Sequence, residues 1–142
     1  SCVQTVEEMF QRASQLKLSK NIWAATLMGE ILIDVEPCDG CWNADQNANV
    51  NYASDLATAA VNTFGSNKVG LYTSSGSWNS VVGNNRRDNI NALPLWYAHW
   101  DGKADMTDTW AYNFGGWTKG YLKQYTGGAT VCGLYLDNNY LP

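Results

Sequence analysis

Hydrophobic and polar positions follow two periods along the chain. Helical spacing predicts an amphipathic helix over roughly residues 3–18 and a second one ending at Gly65, whose N-cap is Asn43 or Asp45. Runs of β-branched and aromatic residues predict strands at 31–36, 68–73, 95–100, near 121–125 and near 133–137. A short helix is expected around 77–82, polar loops at 84–91 and after Trp100, and residues 21–28 fit neither period.

The order of these elements predicts how the strands pair. Two strand–helix–strand segments, 31–73 and 69–100, favour parallel pairing, because parallel strands need a long crossover connection. The last strands have only hairpin-length links. Helix-linked strands followed by plain strands indicate one α/β domain over residues 1–142, a partial or irregular TIM-like barrel. Active residues of such barrels lie at the C-terminal ends of the strands.

The first predicted strand ends in two carboxylates. Asp34 and Glu36 point to the same side of it, roughly 7 Å apart, and Pro37 cannot continue the ladder. Two carboxylates at the end of an apolar strand can take different pKa values and so serve as acid and base. Asp-x-Glu is also a common chance pattern, and a surface salt bridge is the plainer interpretation. Two other strand ends support the catalytic hypothesis. One supplies His99 and Trp100, and the other supplies Asp137.

Composition narrows the function classes. Only 15% of the 142 residues are charged, against about 25% in an average protein, and the net charge is −4. A nucleic-acid partner is therefore not expected, since Arg86-Arg87 is the only basic pair. No apolar run reaches the length of a membrane span, and no signal-peptide pattern opens the sequence, so we expect no membrane partner and a processed form if the protein is secreted.

The four cysteines favour an oxidised, extracellular protein. Cys38 and Cys41 have CxxC spacing, but one histidine and no second CxxC make a zinc site an unfavourable interpretation, and we expect no metal or cofactor. A thioredoxin-like redox motif is a minor alternative. Of the three possible pairings, we favour the disulfides Cys38–Cys41 and Cys2–Cys132.

Several motifs together resemble glycoside hydrolase family 25, the Chalaropsis-type lysozymes, especially members from amoebae and nematodes. Their order and spacing match from about residue 29 to the end. The motifs are Asp34-Val35-Glu36, Val69-Gly70-Leu71-Tyr72-Thr73-Ser74, Leu95-Trp96-Tyr97-Ala98-His99-Trp100, Gly115-Gly116-Trp117, Gln124-Tyr125 and Leu136-Asp137-Asn138-Asn139-Tyr140.

The resemblance implies a (β/α)5(β)3 barrel that hydrolyses the β-1,4 bond between N-acetylmuramic acid and N-acetylglucosamine in peptidoglycan. It implies that Glu36 is the proton donor, that Asp34 orients the acetamido group or stabilises the charged intermediate, and that Asp137 completes the acidic site. It places Tyr72, Trp96, His99, Trp100 and Gln124 in the substrate groove. A secreted or lysosomal/phagosomal, antibacterial role follows from the same resemblance.

Two further expectations concern what this sequence lacks. Family members carry another acidic residue in a Gly-x-Asp-x-Ser segment at the end of a first strand, and this sequence has no such segment. The alternative function is therefore a non-catalytic, contracted relative that binds glycan or serves as an assembly subunit. We also expect that these strands do not close a barrel alone, and that a second copy or a separate N-terminal polypeptide completes it.

Overall fold

The computed structural model of the protein describes residues 30–142. The helix predicted over 3–18, residues 21–28 and Cys2 lie outside this range. The strands are β1 (Ile31–Asp34), β2 (Val69–Thr73), β3 (Leu95–Ala98), β4 (Leu122–Val131) and β5 (Leu134–Tyr140). The helices are α1 (Gln46–Phe64), α2 (Ser75–Val82), α3 (Asp88–Asn91) and α4 (Thr109–Tyr112), with a 3-10 turn at Ser66–Lys68.

The five strands form one curled sheet in the order β1-β2-β3-β4-β5. The first four are parallel and β5 is antiparallel to β4, so the two predicted parallel crossings are confirmed. Within residues 30–142, β1 and β5 form the two edges of the sheet. The result is a mixed α/β fold with a half-barrel sheet.

Local signals in the sequence explain the two longer helices. The Asp45 side chain accepts a hydrogen bond from the backbone N–H of Asn47, and Gly65 ends α1 with a φ of 90°, as predicted. The α2 helix begins after Ser74, whose hydroxyl accepts from the Ser77 N–H, and ends at Gly83. No helix in the described range combines the length and apolar character that a membrane span needs.

The two faces of the sheet differ in chemistry. Ile33, Leu71 and Leu95 are buried among the helices and form the centre of the core. The next residue of each strand, Asp34, Tyr72 or Trp96, turns to the opposite face because side chains alternate along a strand. Backbone register places these three residues side by side across β1, β2 and β3. The same alternation places Trp96 opposite to Tyr97, which is buried in the core.

The structure differs from the predicted elements in the second half of the chain. The predicted polar loop at 84–91 contains α3, and the loop after Trp100 contains α4. Each has four residues, too few to show a helical period. The β4–β5 hairpin is longer than predicted and turns at Cys132 and Gly133, whose φ angles are 53° and 78°. Asp137 consequently lies inside β5 and not at the end of a strand, which corrects the prediction.

Candidate active site

A cavity of about 380 Å³ opens beyond the C-terminal ends of the parallel strands. The three segments that follow β1, β2 and β3 form its floor and sides, and α4 forms the remaining wall. The lining residues are Glu36, Tyr72, Ser74, Ser75, Gly76, Ala98, His99, Trp100, Trp110 and Ala111. The location agrees with the rule that the active residues of α/β barrels lie at this end of the sheet.

Backbone hydrogen bonds hold Glu36 at the cavity. The Val35 N–H donates to the Tyr72 carbonyl at 2.9 Å, which extends the β1–β2 ladder one residue beyond the strand. The Thr73 hydroxyl donates to the Val35 carbonyl at 2.6 Å, and the Trp42 indole N–H donates to the Glu36 carbonyl at 2.7 Å. Pro37 follows, and a disulfide joins Cys38 to Cys41 in the next turn, which confirms that pairing. The predicted Cys2–Cys132 pairing involves a residue outside the described range.

Both carboxyls of the Asp-x-Glu motif hold their protons more tightly than usual. Burial, followed by the charge of Glu36, raises the pKa of Asp34 to about 7. Burial, followed by the charge of Asp137, also raises the pKa of Glu36. Among the described residues, the Asp34 Oδ1 atom is buried without a hydrogen-bond partner, and no cation pairs with either carboxyl. The Asp34–Glu36 pair can therefore keep a proton bound near neutral pH.

Gln124 connects Tyr72 and Trp100 to Asp137 through hydrogen bonds. Its Oε1 atom accepts hydrogen bonds from the Tyr72 hydroxyl and from the Trp100 indole N–H, both at 2.8 Å. Its Nε2 group donates to Asp137 Oδ2 at 3.0 Å. Gln124 is buried, so this side-chain amide fixes the positions of Tyr72, Trp100 and Asp137 relative to one another.

Aromatic rings lie at the cavity and beside it. The Trp96 and Tyr72 rings meet edge-on, with their centres 4.6 Å apart. The Trp96 indole N–H donates to the side-chain oxygen of Asn139 at 2.9 Å. Trp100 and Trp110 are exposed by 66% and 68% although both line the cavity. A side chain on Gly127 would overlap the Trp100 ring, since a Cβ atom there would lie 2.8 Å from it. Exposed rings held at the wall of a cavity are suited to stacking on sugars.

A second polar cluster lies behind His99. Asp108 accepts hydrogen bonds from the Tyr97 hydroxyl at 2.8 Å and from His99 Nδ1. The fully buried Lys123 ammonium lies 2.9 Å from Asp101 and 3.1 Å from Asp108. His99, Asp101 and Asp108 have the mutual spacing of metal ligands. Because Lys123 already supplies the positive charge there, we assign the group to an ion-pair cluster and not to a metal site.

The structure brings most of the predicted site residues together. Glu36, Tyr72, His99 and Trp100 line one cavity, with Asp34, Gln124 and Asp137 directly beside it. Trp96 lies on the same face but outside the cavity lining. Among the remaining aromatic residues, Tyr97 and Trp117 are buried in the core and Trp42 packs against it.

Asp101, Asp108 and Lys123 were missed by the sequence analysis. A signal for them existed, because Lys123 lies within a strand at a helix-facing position, where a lysine needs a buried counter-ion.

Comparison with known proteins places this chain in a family. The family model described as Lysozyme-like protein 1 matches residues 2–125. Over 114 residues the chain is 41% identical to probable GH family 25 lysozyme 3 of Dictyostelium discoideum, covering 80% of this chain and 23% of that protein. It is also 41% identical over 108 residues to counting factor 50 of the same organism, covering 76% of this chain and 34% of that protein.

A solved structure shows the same fold. The muramidase from Acremonium alcalophilum superposes with a TM-score of 0.58 at 21% identity, covering 78% of this chain and 50% of the muramidase. The chain thus spans half or less of the length of each of these three proteins. The resemblance inferred from the sequence motifs is confirmed: the chain belongs to the lysozyme-like family, with family 25 lysozymes among its homologues.

Proposed function

We propose that the protein is a lysozyme-type glycoside hydrolase that cleaves the β-1,4 bond between N-acetylmuramic acid and N-acetylglucosamine in peptidoglycan. The observation that carries the proposal is Glu36, a carboxyl with a raised pKa at the edge of a sugar-sized, aromatic-walled cavity. Family membership supports a lysozyme-like activity, and the muramidase-like fold is consistent with it.

In the proposed reaction Glu36 donates its proton to the glycosidic oxygen. The bond from the anomeric carbon to that oxygen then breaks, the leaving sugar departs as an alcohol, and positive charge develops on the ring that remains. A water molecule supplies the hydroxyl group to the anomeric carbon, and its released proton returns to Glu36. Burial favours this role because it keeps Glu36 protonated at a higher pH than an exposed glutamate.

Asp34 and Asp137 have supporting roles in this proposal. Asp34 lies beside Glu36 and keeps its proton to a raised pH, so we assign to it the orientation of the acetamido group or the stabilisation of the charged intermediate. Asp137 is exposed and held by Gln124, and its charge acts on Glu36. We assign to Asp137 the electrostatic stabilisation of the developing positive charge.

The product identifies the bond that is cleaved. Peptidoglycan is incubated with the purified protein, the new reducing ends are reduced with borohydride, and the fragments are analysed by mass spectrometry. The proposal predicts N-acetylmuramic acid at the new reducing ends. N-acetylglucosamine at these ends would contradict the proposed bond, and intact glycan would contradict hydrolase activity. We also propose that the protein is secreted or lysosomal/phagosomal, and its detection outside the cell or in one of these compartments would support this.

A second candidate function is a non-catalytic glycan-binding or assembly subunit. It is favoured by a relative of equal identity that is named a counting factor and not a lysozyme. Saturable glycan binding without any release of reducing ends would support this alternative.

The unpaired outer edges of β1 and β5 within residues 30–142 concern the barrel and not the reaction. We propose that three further strands complete a (β/α)5(β)3 barrel and that a second copy or a separate polypeptide supplies them. Native mass spectrometry of the purified chain tests this, and a stable monomer with a closed barrel would contradict it.

A further inference from the structure

His99 presents two different environments to its two ring nitrogens. Nδ1 faces the buried carboxylate of Asp108, while the ring packs edge-on against Trp110 at 4.5 Å and lines the cavity. Within the described range Nε2 makes no hydrogen bond, and it is not among the buried polar atoms that lack a partner. The Nε2 atom is therefore open to a ligand in the cavity.

Asp108 has the hydrogen-bond partners needed to fix the orientation of that ring. Its Oδ1 atom accepts from the Tyr97 hydroxyl at 2.8 Å, and its Oδ2 atom is shared by His99 and Lys123. Burial alone would raise the pKa of Asp108, but the hydrogen bonds from His99, Tyr97 and Lys123 outweigh it and lower the pKa. An anionic Asp108 accepts a hydrogen bond from the N–H group at Nδ1. A neutral imidazole that carries its proton at Nδ1 exposes Nε2 as a hydrogen-bond acceptor.

We propose that Asp108 is a positioning residue of the site. It holds His99 so that Nε2 accepts a hydrogen bond from a hydroxyl or amide N–H of a bound N-acetylated sugar, and buried Lys123 keeps Asp108 charged. The class of sugar rests on the proposed function. The hydrogen bonds from Asp108 through His99 to the ligand require only glycan binding. They would form equally in a protein that does not cleave its ligand.

The chain offers a direct readout, because His99 is its single histidine. The full chain is labelled with ¹⁵N-histidine, and the two ring nitrogens are observed by NMR at mildly alkaline pH with and without a soluble tetramer of N-acetylglucosamine. We expect Nδ1 protonated and Nε2 bare in the free protein, and a shift of the Nε2 resonance on adding the tetramer. A bare Nδ1, or an Nε2 resonance that the tetramer leaves unchanged, would overturn the proposal.

Asp108→Ala tests the role of the carboxylate itself. Nδ1 then loses its acceptor, so we expect the Nδ1-protonated form to decline and the dissociation constant for the tetramer to rise about tenfold, the scale of one lost hydrogen bond. Asp55→Asn, which removes an exposed carboxylate on α1 outside the cavity, should leave both quantities unchanged. Unchanged tautomer and affinity in a folded Asp108→Ala protein would refute the proposal. If that variant does not fold, the measurement on the unaltered protein decides alone.

The cleavage assay gives a separate answer. Failure to release reducing ends, together with the expected ¹⁵N shifts, would contradict the proposed hydrolase and leave the positioning role intact. Release of reducing ends with an unperturbed Nε2 resonance would support the proposed hydrolase and contradict the positioning role.

Discussion

Two groups of carboxylates lie around the same cavity, and their acidities move in opposite directions. Asp34 and Glu36 have raised pKa values, because burial and a neighbouring negative charge both disfavour the ionised form. Asp101 and Asp108 have lowered pKa values although burial opposes the shift, because hydrogen bonds from Lys123 and from other donors outweigh it.

The difference shows what one buried cation does to a polar cluster. Around Lys123 the carboxylates are charged, paired and fixed, which suits a structural support. Near Glu36 no described cation compensates the carboxyls, so a proton is retained there at a pH where isolated carboxyls have lost theirs. Proximity of acidic residues alone therefore does not distinguish the two groups; their protonation behaviour does.

The largest effect is expected from removing the cation. In Lys123→Met the buried carboxylate of Asp108 loses its partner, and the free energy of unfolding should fall by about 3 kcal/mol, as for other broken buried ion pairs. Urea denaturation measures this. Lys103→Met, which removes an exposed lysine from the nearby loop, is the matched control. Equal, small losses in the two variants would mean that Lys123 does not compensate the cluster.

Glu36→Gln should come next in size. The amide keeps the shape of the side chain but has no proton to donate, so the release of reducing ends from peptidoglycan should fall by at least ~10²-fold. Asp39→Asn, in the exposed turn after Glu36, removes the same charge and should retain activity. Activity that survives in Glu36→Gln would remove the proton-donor role.

Asp34→Asn should show how the Asp34 carboxyl, which no described cation compensates, makes the free energy of unfolding depend on pH. A carboxyl with a raised pKa binds its proton more tightly in the folded state, so this group lowers stability as pH rises from about 4, its unfolded value, to about 7. The variant should therefore gain about 2 kcal/mol of unfolding free energy over the unaltered protein at pH above 7 and nothing near pH 4, allowing for partial exposure. Chemical denaturation at the two pH values measures it.

Asp55→Asn, on the exposed face of α1, controls for removal of a charge. A gain in Asp34→Asn that is the same at both pH values would show that Asp34 is not the titrating group.

The smallest effect is expected at the aromatic wall. Trp110→Ala should weaken glycan binding about fivefold, the scale of one lost ring contact, and leave stability nearly unchanged because the side chain is 68% exposed. Tyr135→Ala removes a ring that is 78% exposed on the β4–β5 hairpin, outside the cavity, and should bind as the unaltered protein does. Equal affinities of the two variants would exclude Trp110 from the groove.

The two clusters also differ in how well the sequence predicts them. Asp34 and Glu36 could be located because a strand repeats every two residues, and α1 because Asp45 and Gly65 mark its ends. Lys123 pairs with residues 22 and 15 positions earlier in the chain, Asp101 and Asp108, and such pairs depend on the packing of a loop against a strand. Asp137 was misplaced because the length of an antiparallel hairpin is set by its turn, and the strand predicted near 133–137 included Gly133, which lies in that turn.

The Asp34–Glu36 pair retains a proton near neutral pH, whereas the Asp101–Asp108 pair beside Lys123 does not. Carboxyl ¹³C resonances of Asp34, Glu36, Asp101 and Asp108, followed by NMR across a pH titration of the labelled chain, test it directly. We expect Asp34 to titrate near pH 7 and Glu36 above its usual range, while Asp101 and Asp108 titrate below theirs. Ordinary aspartate and glutamate titration of Asp34 and Glu36 would contradict it.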